Sequence, residues 1–209
     1  MYTLYFVPGA CSLATQSILH ELNQPVTLKH KQDAEDYSQL NPAGTVPVLI
    51  DGDRILNEGV AILLYLLNKH ENMLLPTSEP ARQRAIERML LANASMHPAY
   101  GRLFFIASNV VNEEGRQQAF DAAAEAINGL WRAVETRFPK DSTQEGPFLG
   151  GSQVSPADFL LTVYSRWGQF FPVDIRIGPR ASAMIEAVMA RESFQLALQR
   201  ESEYQHHAA

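Results

Sequence analysis

The chain has 209 residues, with 17 Lys and Arg against 23 Asp and Glu for a formal net charge of −6, and 46% of its residues are hydrophobic. That length holds one large domain or two small ones, each able to bury a core without disulfides or metals, so a disordered chain and a small disulfide scaffold are excluded. No run of Lys or Arg supplies the clustered cations that a polyanion needs, so nucleic acid is not an expected partner.

No uninterrupted apolar segment reaches the roughly 18 residues of a membrane span, and Met1 runs into YTLYFV without a basic leader, so no membrane partner and a cytoplasmic location are expected. The single cysteine, Cys11, has no internal disulfide partner.

Tyr2 to Val7 reads as a strand stopped by Pro8-Gly9, and the apolar side Leu13, Ile18, Leu19 and Leu22 predicts a helix from about Ser12 to Leu22. Val26 to Lys31 is a second strand. A polar stretch with Tyr37 and Leu40 leads to the turn signal Asn41-Pro42-Ala43-Gly44 and a third strand, Val46 to Ile50. Asp51-Gly52 is a hairpin signal, with Arg54 to Leu56 returning as the fourth strand.

Gly59 to Asn68 is apolar nearly all round, which predicts a helix covered by two layers. This β-α-β-(α)-β-β-α order has one crossover and a closing antiparallel hairpin, the order of an α/β thioredoxin-like fold.

After Leu74 to Pro80 no strand pattern recurs. Helical spacing covers Ala81 to about Val111, Arg116 to Phe138, Pro156 to Phe171 and Pro179 to about Arg200, broken at Gly115, Pro139 to Gly151 and Pro172 to Gly178. The expected organisation is a thioredoxin-like domain over 1–75, a linker over 76–80 and an all-helical domain over 81–209. In Val154-Ser155-Pro156-Ala157-Asp158-Phe159, Ser155 is the cap, Pro156 fits the first helical position, Asp158 reaches back and Val154 staples onto Phe159, a folding signal rather than an active site. Gln205 to Ala209 is expected to fray.

Three places offer chemistry. Cys11 stands where the first strand gives way to a helix, and the unpaired N–H groups there stabilise a thiolate and lower its pKa, although a small buried residue in a tight turn would look the same. Ser12 beside it either donates a hydrogen bond to a bound thiolate or caps the helix. Val46-Pro47 opens an internal strand, where proline has no ladder donor to give; a cis bond resolves this and leaves the Val46 backbone to pair with an extended peptide, although a trans proline at a sheet edge would read the same way. Glu58-Gly59 opens the third helix, whose N-terminus attracts a carboxylate while Glu58 holds an ammonium, although Glu58 alone would equally complement the helix dipole.

Taken together, PGACSLA (Pro8 to Ala14), NPAGTVPVL (Asn41 to Leu49), LNEGVAI (Leu56 to Ile62) and SPADF (Ser155 to Phe159) resemble the glutathione S-transferase family, and within it the bacterial beta class with its cysteine at this turn. The resemblance implies the two-domain fold of that family and glutathione as co-substrate, held by Ser12, Val46, Pro47, Glu58 and Gly59 beside a catalytic Cys11. It places a second catalytic residue at His97, in ASMHPAYGRLF, pointing towards the cysteine.

The other histidines show no ligand spacing, and no metal is expected. The chain departs from the family where polar residues usually support glutathione: it has Leu90, Ala94, Ser95 and Pro98 there. A basic glutathione contact usually found before Asn41 is not evident either.

The implied activity is conjugation of glutathione to electrophiles in detoxification, or thiol-disulfide and deglutathionylation chemistry through Cys11. The alternative is a non-catalytic dimeric scaffold or ligand-binding protein that keeps the fold. The electrophile would sit between the domains near Phe104, Phe105 and Tyr164, and the resemblance implies a homodimer.

Overall fold

The computed structural model describes residues 1–139 and 146–207, which divide into two compact units: Met1–Leu75 with the chain from Met189 onward, and Pro76–Val188. The first unit carries strands β1 (Tyr2–Phe6), β2 (Val26–His30), β3 (Val48–Asp51) and β4 (Arg54–Leu56) in the order β2-β1-β3-β4. β1 runs parallel to β2, with Tyr2 opposite Val26, and antiparallel to β3, with Tyr2 opposite Asp51. β3 turns through Gly52, at φ 60°, and pairs back with β4, so Asp51-Gly52 closes the expected hairpin.

Helices α1 (Ser12–Glu21), the short α2 (Tyr37–Leu40) and α3 (Gly59–Lys69) complete the thioredoxin-like layers. α3 buries Val60, Ile62, Leu63, Leu66 and Leu67 on one face and leaves Ala61 and Asn68 exposed, so it is less enclosed than its composition predicts.

Every residue of α1 from Ser12 to Leu19 is buried, Thr15, Gln16 and Ser17 among them. β1 packs on α1, and so does α9 (Glu192–His207). The Pro179 to Arg200 spacing is thus two helices, α8 (Pro179–Met189) and α9, separated at Arg191, whose guanidinium grips the Glu21 carboxylate at 2.7 and 2.8 Å. Arg200 donates to the Val26 carbonyl at 2.9 Å and Tyr204 to Asp33 at 2.6 Å, fastening α9 along the first unit. α9 continues through His207, beyond the expected start of fraying at Gln205; 208–209 lie outside the described residues.

The second unit is helical: α4 (Glu79–Leu90), α5 (His97–Asn109), α6 (Glu113–Glu135), α7 (Pro156–Ser165) and α8. The spacing that predicts one helix from Ala81 to Val111 is interrupted by a π-helical stretch, Leu91–Met96. The interruption falls before Pro98, which lacks the N–H that a continuous helix would use and whose ring would strike the carbonyl of Ala94.

The core of this unit includes Met89, Met96, Tyr100, Leu103, Ile127 and Trp131, with the Trp131 indole donating to the Tyr100 hydroxyl at 2.9 Å. α7 starts as its sequence specifies. Asp158, fully buried, accepts from the Ser155 N–H and hydroxyl, both at 2.7 Å, and from the Leu149 N–H at 3.0 Å. Burial pushes its carboxyl upward against these three donors. Of the expected break at Pro139 to Gly151, 140–145 lie outside the described residues.

Candidate active site

The turn after β1 is built from Pro8, Gly9 and Ala10. Gly9 takes φ 75°, a conformation that a side chain would strain, and the Ala10 N–H closes back on the Val7 carbonyl at 3.1 Å. Cys11 is the N-cap of α1, and Ser12, one residue inside the helix and buried, reaches back to the Val7 carbonyl at 3.5 Å.

The Cys11 thiol donates to the Val46 carbonyl at 3.2 Å. Val46-Pro47 is cis, as its position before an internal strand predicts, and β3 begins one residue later. Cys11 and Val46-Pro47 thus come together from segments 35 residues apart.

The loop before Val46 is pinned at several points. Tyr37 donates to the Thr45 carbonyl at 2.8 Å, Asn41 to the same carbonyl at 2.9 Å, and the Lys31 ammonium to the Gly44 carbonyl at 2.9 Å. Burial, with Tyr5 and Cys11 nearby, pushes the Tyr37 hydroxyl up to about 12.

Glu58 caps α3 in a conformation that non-glycine residues rarely adopt, φ 68° and ψ 114°, while its carbonyl accepts the Ile62 N–H at 2.9 Å. Its side chain is exposed and takes no part in capping the helix. Asn57 holds the approach by donating to the Leu40 carbonyl at 3.1 Å. A side chain forced into such a region costs about 1–3 kcal/mol, a cost that the surrounding structure must offset.

Cys11 departs from the expected electrostatics. Its own N–H and that of Ser12 favour the thiolate, but burial outweighs them, and the carboxylates of Glu58 and Glu201 act in the same direction as burial. The thiol is pushed up to about 11, so Cys11 is protonated at neutral pH instead of being the low-pKa thiolate that a helix N-terminus predicts.

Sequence reading misses Glu201. It stands on α9, is 4% exposed, and accepts from the Gly9 N–H at 2.8 Å and from Gln16 at 2.6 Å. A glutamate in the polar run ESEYQ carries no signal that it is buried.

His97 belongs to the second unit, at the start of α5. Its half-buried ring stacks on Tyr164 with centroids 4.9 Å apart and leans on Trp167 at 5.3 Å. Tyr164 is fully buried, whereas Phe104 and Phe105 are exposed, Phe104 resting edge-on against Trp167 and Phe171. Among the described residues no cluster of three His, Cys, Asp or Glu could hold a metal, and no helix is long and apolar enough to cross a membrane.

The comparisons with known proteins converge on one class. The family model for the glutathione S-transferase N-terminal domain matches residues 14–77. A glutathione S-transferase of Xanthomonas campestris pv. campestris is 31% identical over 204 residues, 95% of this chain and 98% of the relative. The chain belongs to the glutathione S-transferase family.

Among solved structures, a glutathione S-transferase from Xylella fastidiosa superposes with a TM-score of 0.85 at 29% identity, covering 97% of this chain and 99% of that one. The bacterial beta class enzyme of Sphingomonas chungbukensis gives a TM-score of 0.79 at 26% identity, over 95% and 98% of the two chains. The fold is the two-domain glutathione transferase fold, a thioredoxin-like sheet and helices with a helical region after it.

Proposed function

We propose that the protein is a beta-class-like glutathione transferase in which glutathione lies along the first unit with its sulfur beside Cys11. The observation that carries this reading is the Cys11 thiol at the start of α1, bonded to the carbonyl of Val46 next to cis Pro47. In the proposed complex the Val46 backbone pairs with the tripeptide, and the α3 N-terminus at Gly59 takes the γ-glutamyl carboxylate while Glu58 takes its ammonium. Ser12 supports the turn, and His97 is carried as the second catalytic residue on the resemblance in sequence. The protein is a cytoplasmic homodimer that serves detoxification in this reading.

Two chemistries follow. In conjugation, the protonated Cys11 donates a hydrogen bond to the glutathione thiolate, which attacks the electrophile; the protonation of Cys11 supports this route. In thiol-disulfide exchange, the Cys11 sulfur attacks one sulfur of oxidised glutathione and the S–S bond breaks. A mixed disulfide forms, and the second glutathione leaves as the thiol, taking up the proton that Cys11 gives up. That route needs Cys11 to lose its proton first.

The test is the mass of the protein after incubation with oxidised glutathione, with and without Cys11→Ala, beside conjugation rates on a panel of electrophiles. Turnover that collapses in Cys11→Ala supports the enzyme, and a single adduct requiring Cys11 assigns the exchange route. Glutathione binding without turnover or adduct would make the protein a ligand-binding scaffold.

A further inference from the structure

The two halves of the proposed glutathione site, Val46 and the Glu58-Gly59 corner, lie at the open end of the β3–β4 hairpin. We propose that Asn57 is a positioning residue that keeps them in register: its side chain ties the Glu58 corner to the segment that presents Val46. The proposal rests on the glutathione reading and adds what holds its two halves together.

The backbone ladder does not do this. β3 and β4 pair from Asp51 and Arg54 to Leu49 and Leu56, and there the ladder ends; Val48 pairs with Tyr5 of β1. Asn57 is the first residue past that end, where a side chain takes over. Its amide donates to the carbonyl of Leu40 at 3.1 Å. Leu40 closes α2, a single turn whose last carbonyls have no partner inside the helix. The next residue, buried Asn41, carries the connection on: it donates to the Thr45 carbonyl at 2.9 Å and hydroxyl at 3.0 Å and accepts the Ala43 N–H at 3.1 Å. Thr45 precedes Val46, whose carbonyl meets the Cys11 thiol. A run of side-chain bonds therefore leads from the strained Glu58, at φ 68°, to the cysteine.

The cost of the arrangement points the same way. The Asn57 oxygen is buried with no hydrogen-bond partner among the described residues. Turning the amide over would set that oxygen against the Leu40 carbonyl, so the tie itself fixes the orientation that strands it. Packing alone would be served better by an apolar side chain of the same shape. A conformation such as that of Glu58 also persists only where its neighbours hold it, and Asn57 is the neighbour with an anchor outside the corner.

Asn57→Leu keeps the shape and removes both the donor and the stranded oxygen. Two probes separate positioning from general loosening: S-methylglutathione, which meets both halves of the site, and S-methylcysteinylglycine, which lacks the γ-glutamyl group and meets only the Val46 side. The affinity of each is read from how it slows alkylation of Cys11 by iodoacetamide, since Cys11 is the only cysteine.

In Asn57→Leu the S-methylglutathione affinity is expected to fall about tenfold while that of the dipeptide stays at the wild-type value, so the preference for the longer ligand shrinks by the same factor. Melting curves verify that the variant is folded, and Asn57→Ala carries the test if it is not. A folded variant with the wild-type preference, whether both affinities fall together or neither moves, would overturn the proposal and leave the glutathione reading standing. Wild-type protein that neither ligand protects would remove the glutathione reading, and the proposal with it.

Discussion

The Cys11 sulfur and the Val46 carbonyl oxygen stand 3.2 Å apart, with the thiol as donor. A thiolate there would face a carbonyl oxygen with nothing to share, so the contact itself selects the protonated form, in the same sense as burial and the two neighbouring carboxylates. The sulfur is built to give a hydrogen bond.

Alkylation of Cys11 should therefore keep accelerating well above the range in which an ordinary thiol, with a pKa of about 8.5, has levelled off. With the folded thiol at about 11, the profile should still be rising at the upper end of the range the protein tolerates. The same shift has a stability consequence. Above the ordinary thiol pKa the unfolded chain loses a proton that the folded chain keeps, so stability falls as pH rises through that window, and Cys11→Ala should flatten the fall. Melting temperatures of the two proteins across the alkaline range give the answer.

Glu58 should trade stability for binding. Glu58→Gly relieves φ 68° at a position where glycine has no penalty, and it removes a carboxylate that takes no part in capping the helix. The variant should melt no lower than wild type yet bind reduced glutathione at least about tenfold more weakly, the loss of one charge-assisted contact. A lowered melting temperature with unchanged affinity would show the residue to be structural.

His20 should make the protein acid-sensitive. Burial, with Arg200 adding to it, lowers its pKa in the folded chain, and its Nε2 is buried without a hydrogen-bond partner. Below the ordinary histidine pKa of about 6.5 the unfolded chain binds a proton that the folded chain refuses, so stability is lost as pH falls. His20→Leu should retain more of its neutral-pH stability when the buffer is acidified, read as urea midpoints at neutral and mildly acidic pH.

Asp158→Ala should be among the most damaging single changes in the second unit. It strands two buried N–H groups and the Ser155 hydroxyl, at about 1–3 kcal/mol for each group left unsatisfied. A loss of about 3 kcal/mol or more in urea unfolding is expected, with Asp158→Asn milder because its oxygen still accepts.

What the sequence discloses and what it hides divide along physical lines. The β-turn-α opening, the Asp51-Gly52 hairpin, the cis Val46-Pro47 and the Ser155 to Asp158 cap are local signals, decided within a few residues by proline, glycine and capping chemistry, and the structure has each of them. The π-helical stretch before Pro98 was equally local but lay inside a periodic pattern that reads as one helix.

The arrangement around α1 is different. Helical spacing in α9 marks an apolar side without saying what it meets, and the burial of Gln16 in α1 rests on a polar partner, Glu201, 185 residues further along the chain. The thiol's ionisation was misjudged for the same reason. The helix N-terminus is visible in the sequence, whereas the burial that outweighs it and the charge of Glu201 arrive only with the fold.

The tie between α1 and α9 also orders events during synthesis. On the ribosome the strands β1 to β4 and helix α1 emerge first, but the residues that cover the polar side of α1 follow only after the whole of Pro76–Val188 has been made. Until then Gln16 and the Gly9 peptide have only water in place of Glu201. The nascent first unit is thus an open half-structure until α9 has been made, and the Cys11 turn gains its bond to Glu201 only then.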